Sequence, residues 1–200
     1  MFNIFKGAAI RREAMGKIAL VHQFAFVPKD ETGLAKAMKA FSLFKHKSGK
    51  IFNMLEKEVR EIPGKVRVFD YKYTVHTGNS NATIIQTVFL LSSNSQELPA
   101  FKVYPRTFFH KIAAYFRKNK TPELIKDPAF YERYIVKTEE AAQLKPRMNY
   151  DFTRLLKNGK NLRVESLDNH LLIYRDSKRL PVEEIMDFYE LGLKIYNSLK

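Results

Sequence analysis

Apolar and polar positions alternate most regularly between Val66 and Leu91. Two runs rich in β-branched and aromatic residues, Val66–His76 and Thr83–Leu91, flank the cluster Thr77-Gly-Asn-Ser-Asn-Ala82, which is the pattern of a hairpin. In the first run Phe69, Tyr71, Tyr73 and Val75 share one face, and Asp70, Lys72, Thr74 and His76 share the other. That alternation predicts a sheet with one face on the core and one face wet. The second run closes on Val88-Phe-Leu-Leu91, an almost continuous apolar stretch that places its last part centrally.

The rest of the chain supplies the elements around this hairpin. Residues 18–27 fit either a buried strand or the end of a first helix, because period alone does not decide a short apolar run, and Pro28 closes it. Asp30 to Phe41 is predicted to be a helix, with Leu34, Ala37, Met38 and Phe41 on one side. Ile51 to Val59 reads as a strand with Phe52, Met54 and Leu55 inward, and Ile62-Pro-Gly-Lys65 as a turn. Ala100–Tyr104 is a further strand and Phe108–Lys118 a helix. Lys126–Phe130 is a turn and Tyr131–Thr138 a strand. A helix opening at Thr138-Glu-Glu must be interrupted at Pro146, and its continuation stops at Gly159.

Leu162 to Arg175 is the cleanest hairpin, with Asp168-Asn169 as a two-residue turn. That register sets Val164 against Ile173 and Ser166 against Leu171. The last helix starts at Pro181, with Glu183 and Glu184 at its positive dipole end and Val182, Ile185, Met186, Tyr189, Leu193 and Tyr196 as its stripe. Runs of strands without βαβ alternation give an α+β fold, a largely antiparallel sheet (a β-meander plus a C-terminal hairpin) packed against three or four helices. Residues 1–17 form a basic amphipathic segment, read as a helix docked on the domain, with a helix lying on a membrane surface as the alternative. Residues 18–200 form one domain, subdivided weakly near residues 121–128.

Charge changes this picture more than composition does. The chain has 35 basic and 21 acidic residues, net +14, a field that attracts anionic lipid, nucleic acid or an acidic protein. The excess is local. Five lysines and no acid lie between Glu31 and Glu56, and seven basic residues face one acid, Glu123, from Lys102 to Lys126. Lys102, Arg106, Lys111, Arg117, Lys118 and Lys120 are therefore the anion-binding candidates, and Asp70, Lys72 and His76 are candidates as an exposed row on the sheet. The absence of cysteine excludes disulfides, thiolate nucleophiles and thiolate metal sites, and fits a reducing compartment. No run approaches the roughly 20 apolar residues of a spanning helix.

No phosphate loop, dinucleotide fingerprint or nucleophile elbow occurs, and the five histidines have no ligand spacing, so neither a cofactor nor a metal is expected. Asp70 beside Tyr71 and Tyr73 has the composition of a general base near hydroxyl donors, but alternation sends the tyrosines to the opposite face.

Phe41-Ser-Leu-Phe44, Asn53-Met-Leu, Val68-Phe-Asp-Tyr-Lys-Tyr-Thr74, Gln86-Thr-Val88, Leu98-Pro-Ala-Phe101 and Asp127-Pro-Ala-Phe-Tyr-Glu-Arg-Tyr134, in this order, resemble a bacterial family classed as a domain of unknown function. The likeness runs from about residue 20 through the closing Pro-Val-Glu-Glu helix. Many members carry transmembrane helices ahead of the domain, which implies a membrane-associated cytosolic module, whereas the first residues here are too few and too polar to span. The resemblance carries over no catalytic residue. The function expected is a non-enzymatic interaction module, cytoplasmic and either soluble or peripheral to the anionic inner surface of the membrane. The alternatives are sequence-independent nucleic-acid binding through a basic face, and an enzyme with its site near Asp70.

Overall fold

The computed structural model describes residues 2–59, 62–78, 80–94, 98–106 and 124–200. The predicted helix at 108–118 lies outside them. The fold is α+β, built on an eight-stranded antiparallel sheet in the order β1-β2-β3-β4-β8-β7-β5-β6. The first four strands, β1 (Ala25–Lys29), β2 (Lys50–Val59), β3 (Ile62–Thr77) and β4 (Ser80–Ser93), form a meander. The hairpin of β7 (Leu162–Leu167) and β8 (His170–Arg175) joins β4 through β8, and β5 (Phe101–Pro105) and β6 (Tyr134–Thr138) extend the sheet beyond β7.

One face of the sheet is covered by α1 (Phe2–His22), α3 (Pro128–Arg133), α5 (Tyr150–Asn158) and α6 (Ile185–Ser198), over a core that includes Met15, Leu55, Val68, Phe89, Val103, Phe152, Ile173 and Ile195. The two short helices are α2 (Leu34–Ala37) and α4 (Ala141–Leu144). On the opposite face, Met38, Phe41, Leu43 and Phe44, from α2 and the 3-10 turn Ser42–Lys45, pack over Ile51, Met54, Phe69, Tyr71, Leu90, Leu172 and Tyr174. The wet sheet face expected from alternation is therefore absent at the centre of the molecule, because both faces are covered there.

Two hairpins are as the sequence predicts. Asp168 and Asn169 take φ of 48° and 62°, and Val164 pairs with Ile173 and Ser166 with Leu171. The β3–β4 ladder runs through 14 pairs, from Gly64 opposite Ser93 to Thr77 opposite Ser80. Other elements differ. Pro63-Gly64 lies inside β3 rather than in a turn, because Gly64 lets the β4 backbone pass close by; a Cβ there would fall 2.1 Å from the Ser92 carbonyl oxygen. Pro28 sits within β1, which is allowed because β1 is an edge strand. The helix predicted over Asp30–Phe41 is one turn long. Asp30 accepts hydrogen bonds from the amides of Thr32, Gly33, Leu34 and Ala35, and Gly33 is left-handed at φ 78°. The predicted turn at Lys126–Phe130 opens α3, with the Asp127 carboxylate accepting from the Phe130 amide.

Candidate functional site

Asp70 is 0% exposed, which corrects its expected place in an exposed row. Its side chain points to the helical face, where α1 crosses β3. Arg11 of α1 donates from Nε to Oδ2 at 2.7 Å and from Nη2 to Oδ1 at 2.8 Å, a bidentate pair. Arg179, in the connection between β8 and α6, donates from Nε and Nη2 to Oδ2 at 3.2 and 3.0 Å. The Asn53 amide and the Thr87 hydroxyl add bonds of 3.1 and 3.3 Å. Asn53 reaches inward because it sits at a bulge in β2 with φ 50°.

Burial on its own would raise the Asp70 carboxyl, but the hydrogen bonds and charges of Arg11 and then Arg179 hold it below the ordinary carboxylate range. Both carboxylate oxygens are taken up by protein donors. Asp70 is thus a clamp that joins α1, β2, β3, β4 and the β8–α6 connection. One signal for this was present in the sequence: Val66 and Val68 precede Asp70 on the same face, so the alternation already placed it next to core.

Beyond Asp70 the same face of β3 opens to solvent. Lys72 and His76 are exposed, as the sequence reading has them. His76 Nδ1 lies in hydrogen-bond contact with Asn81 Oδ1 across the hairpin. Lys72 stands directly opposite Lys50 of β2, which is also exposed, and neither forms an ion pair among the described residues. The loop that leads into Lys50 adds exposed Lys45 and Lys47.

Helix α1 crosses the same face of the sheet at Asp70. It runs without a break through residue 17, where the sequence reading sets a boundary. It docks by a narrow stripe, Arg11, Met15 and Ala19, at spacings of four residues. Its outward side carries apolar residues among charged ones. Ile10, Leu20 and Val21 are 59%, 83% and 75% exposed, and Ala8 and Ala9 are exposed beside Ile10. Arg12 is also exposed there, while Lys17 pairs with Glu13 at 2.8 Å.

The basic run from Lys102 is placed only in part. Lys102 Nζ is 3.3 Å from Glu165 Oε2 and also bonds the Ser42 hydroxyl, and Arg106 donates to the Tyr131 carbonyl at 3.1 Å. Lys111, Arg117, Lys118 and Lys120 lie outside the described residues. Lys102 belongs to an open groove of about 860 Å³ on the second face of the sheet, over β5, β6 and β7. There Glu165 is 4% exposed and accepts from the Tyr174 hydroxyl at 3.0 Å and the Ser42 amide at 3.1 Å. Burial, and then the adjacent Glu165 charge, push the Tyr174 hydroxyl well above the ordinary phenol range. The groove has Lys102, Lys137 and Arg163 set against Glu139, Glu140 and Glu165, a balanced set that offers no net attraction to a polyanion.

Among the described residues no three His, Asp or Glu side chains converge as a metal site, and no helix is long and apolar enough to cross a membrane. No protein-family model, curated protein or solved structure matches this chain.

Proposed function

We propose that the protein is a non-enzymatic docking module that rests on an anionic membrane surface through the outer side of α1 and the lysines beside it. The observation that carries this reading is the Lys50–Lys72 pair. Like charges directly opposite on neighbouring strands destabilise a sheet by about 0.2–1 kcal/mol. A fold that keeps such a pair without an ion-pair partner among the described residues has a use for positive charge at that position. Apolar contact by α1 and lysine attraction to lipid phosphates act together, as in helices that lie in the headgroup plane. The resemblance to a family many of whose members carry transmembrane helices ahead of the domain supports the same reading.

Co-sedimentation with anionic and neutral vesicles tests this. Binding to anionic vesicles alone is the expected result, and equal, negligible pelleting with both rejects it. Each lysine near a charged bilayer contributes about 1 kcal/mol, so Lys50→Gln with Lys72→Gln weakens vesicle binding by about 30-fold. The same double variant melts no lower than the parent, because it removes a repulsion. A variant that both binds and melts normally would take these lysines out of the surface. Binding of single-stranded nucleic acid in preference to vesicles would favour the nucleic-acid alternative.

A further inference from the structure

Past the Asp70 clamp, β3 and β4 leave the rest of the sheet. The last β2 partner of β3 is Lys50, opposite Lys72, and the first β8 partner of β4 is Tyr174, opposite Val88. Five pairs lie beyond the β2 boundary, from Tyr73 opposite Ile84 to Thr77 opposite Ser80, as a ribbon with no third strand among the described residues. At about 3.3 Å per residue it projects roughly 17 Å. Its β3 edge is closed at the base, where the Thr74 amide donates to Ser48 Oγ at 2.9 Å and His46 stacks on Tyr73 at 4.0 Å. Its β4 edge is closed only as far as Gln86 and Thr87. The Thr87 amide donates to the Lys178 carbonyl at 3.0 Å, and Gln86 Oε1 accepts from the Ser177 amide at 3.1 Å. From Asn81 to Ile85 the outer edge of β4 has no strand partner among the described residues.

Free strand edges in soluble proteins are guarded by charge or proline. This chain follows that rule at both ends of its sheet: β1 carries Pro28 and Lys29, and β6 carries Lys137. The ribbon does not, for no charged residue occurs from Tyr73 to Gln96. On a chain of net +14 this is also the stretch where two copies meet with least repulsion.

We propose that two copies associate by pairing the outer edges of β4 antiparallel, centred on Thr83. The arrangement is two-fold symmetric and closed, as a self-complementary interface must be. It sets Thr83 against Thr83 and Asn81 against Ile85, covers Ile84 and Ile85, which are only half-buried in one copy, and keeps the two charged bodies at opposite ends of the joint. A strand pair of this length falls short of the roughly 1,000 Å² of a permanent interface, so the dimer is weak and forms at high protein concentration. The proposal is independent of membrane docking.

Sedimentation velocity over about 5 to 500 µM at near-physiological salt tests it. The expected result is a shift toward dimer across that range. Thr83→Lys and Thr83→Glu, each alone, set like charges face to face and remain monomeric, whereas an equimolar mixture of the two recovers the dimer. That rescue separates pairing at Thr83 from simple damage to the ribbon. A parent chain that stays monomeric throughout overturns the proposal, and so does a mixture that fails to associate where the parent does.

Discussion

Asp70 keeps its charge with no exposed atom, and the physical consequence is a pH-dependent clamp. Its folded pKa lies below the unfolded value of about 3.9, so the stabilisation is fully present above that value and disappears as pH falls through the folded pKa. Asp70→Asn leaves the Arg11 and Arg179 guanidinium groups without their counter-charge. Removing one partner of a buried ion pair costs about 3–5 kcal/mol. For a chain of this size the melting temperature at pH 7 drops on the order of 10 °C. The deficit relative to the parent narrows as the pH falls below about 3.9, where the parent begins to lose the same interaction. Thermal melts of both proteins at several pH values check this, and a deficit that stays constant with pH would show that Asp70 acts through shape and not through charge. Burial of a different kind governs Tyr71. Its hydroxyl is pushed up to about 12, first by desolvation and then by Tyr73, so it stays neutral and packs as an aromatic against Phe44 at 4.8 Å.

Helix and sheet approach closely where α6 crosses β4. A Cβ at Gly192 would fall 2.4 Å from the Phe89 ring, and Phe89 is itself 0% exposed between the central strands. Helix propensity favours alanine over glycine by about 1 kcal/mol, but overpacking a tight core costs about 1–3 kcal/mol. The overlap is with a buried ring that has no room to turn away, so steric cost prevails and Gly192→Ala lowers the melting temperature. A higher melting temperature would mean that the α6–β4 spacing is looser than described. Elements whose determinants are local could be read from the sequence. The β7–β8 hairpin was legible because Asp168 and Asn169 encode their own turn, and the core face of β3 because Phe69 and Tyr71 alternate with polar residues. Pro63-Gly64 misled because its meaning depends on Ser93, 29 residues later, passing beside Gly64. The Asp30 helix misled because the residues after Asp30 fold back onto its carboxylate through left-handed Gly33, and only Leu34–Ala37 are helical. The candidate site was legible in part. Lys72 and His76 were placed on the correct exposed face, while Asp70 was hidden by Arg11 and Arg179, 59 and 109 residues away in the chain.

Over the whole molecule, charge acts on stability and on binding in opposite directions. With 35 basic against 21 acidic residues, compaction brings lysines together, and Lys50, Lys72, Lys45 and Lys47 crowd one end of the sheet without ion pairs among the described residues. Surface ion pairs such as Glu13–Lys17 and Asp151–Arg154 contribute little and are screened by the same salt. The buried Asp70 clamp is screened much less. Relief of lysine repulsion therefore outweighs loss of the surface pairs, and the melting temperature rises as sodium chloride increases from about 20 to about 300 mM, a range that shortens the Debye length from about 20 Å to below 10 Å. Attraction to anionic vesicles weakens over the same range, because the lysines that repel one another are those that meet the lipid phosphates. Melts and vesicle titrations at matched salt concentrations measure both slopes. Slopes of opposite sign are what a docking surface concentrated in one charged patch requires. A vesicle affinity that does not change with salt would instead place the attachment in the apolar side of α1 alone.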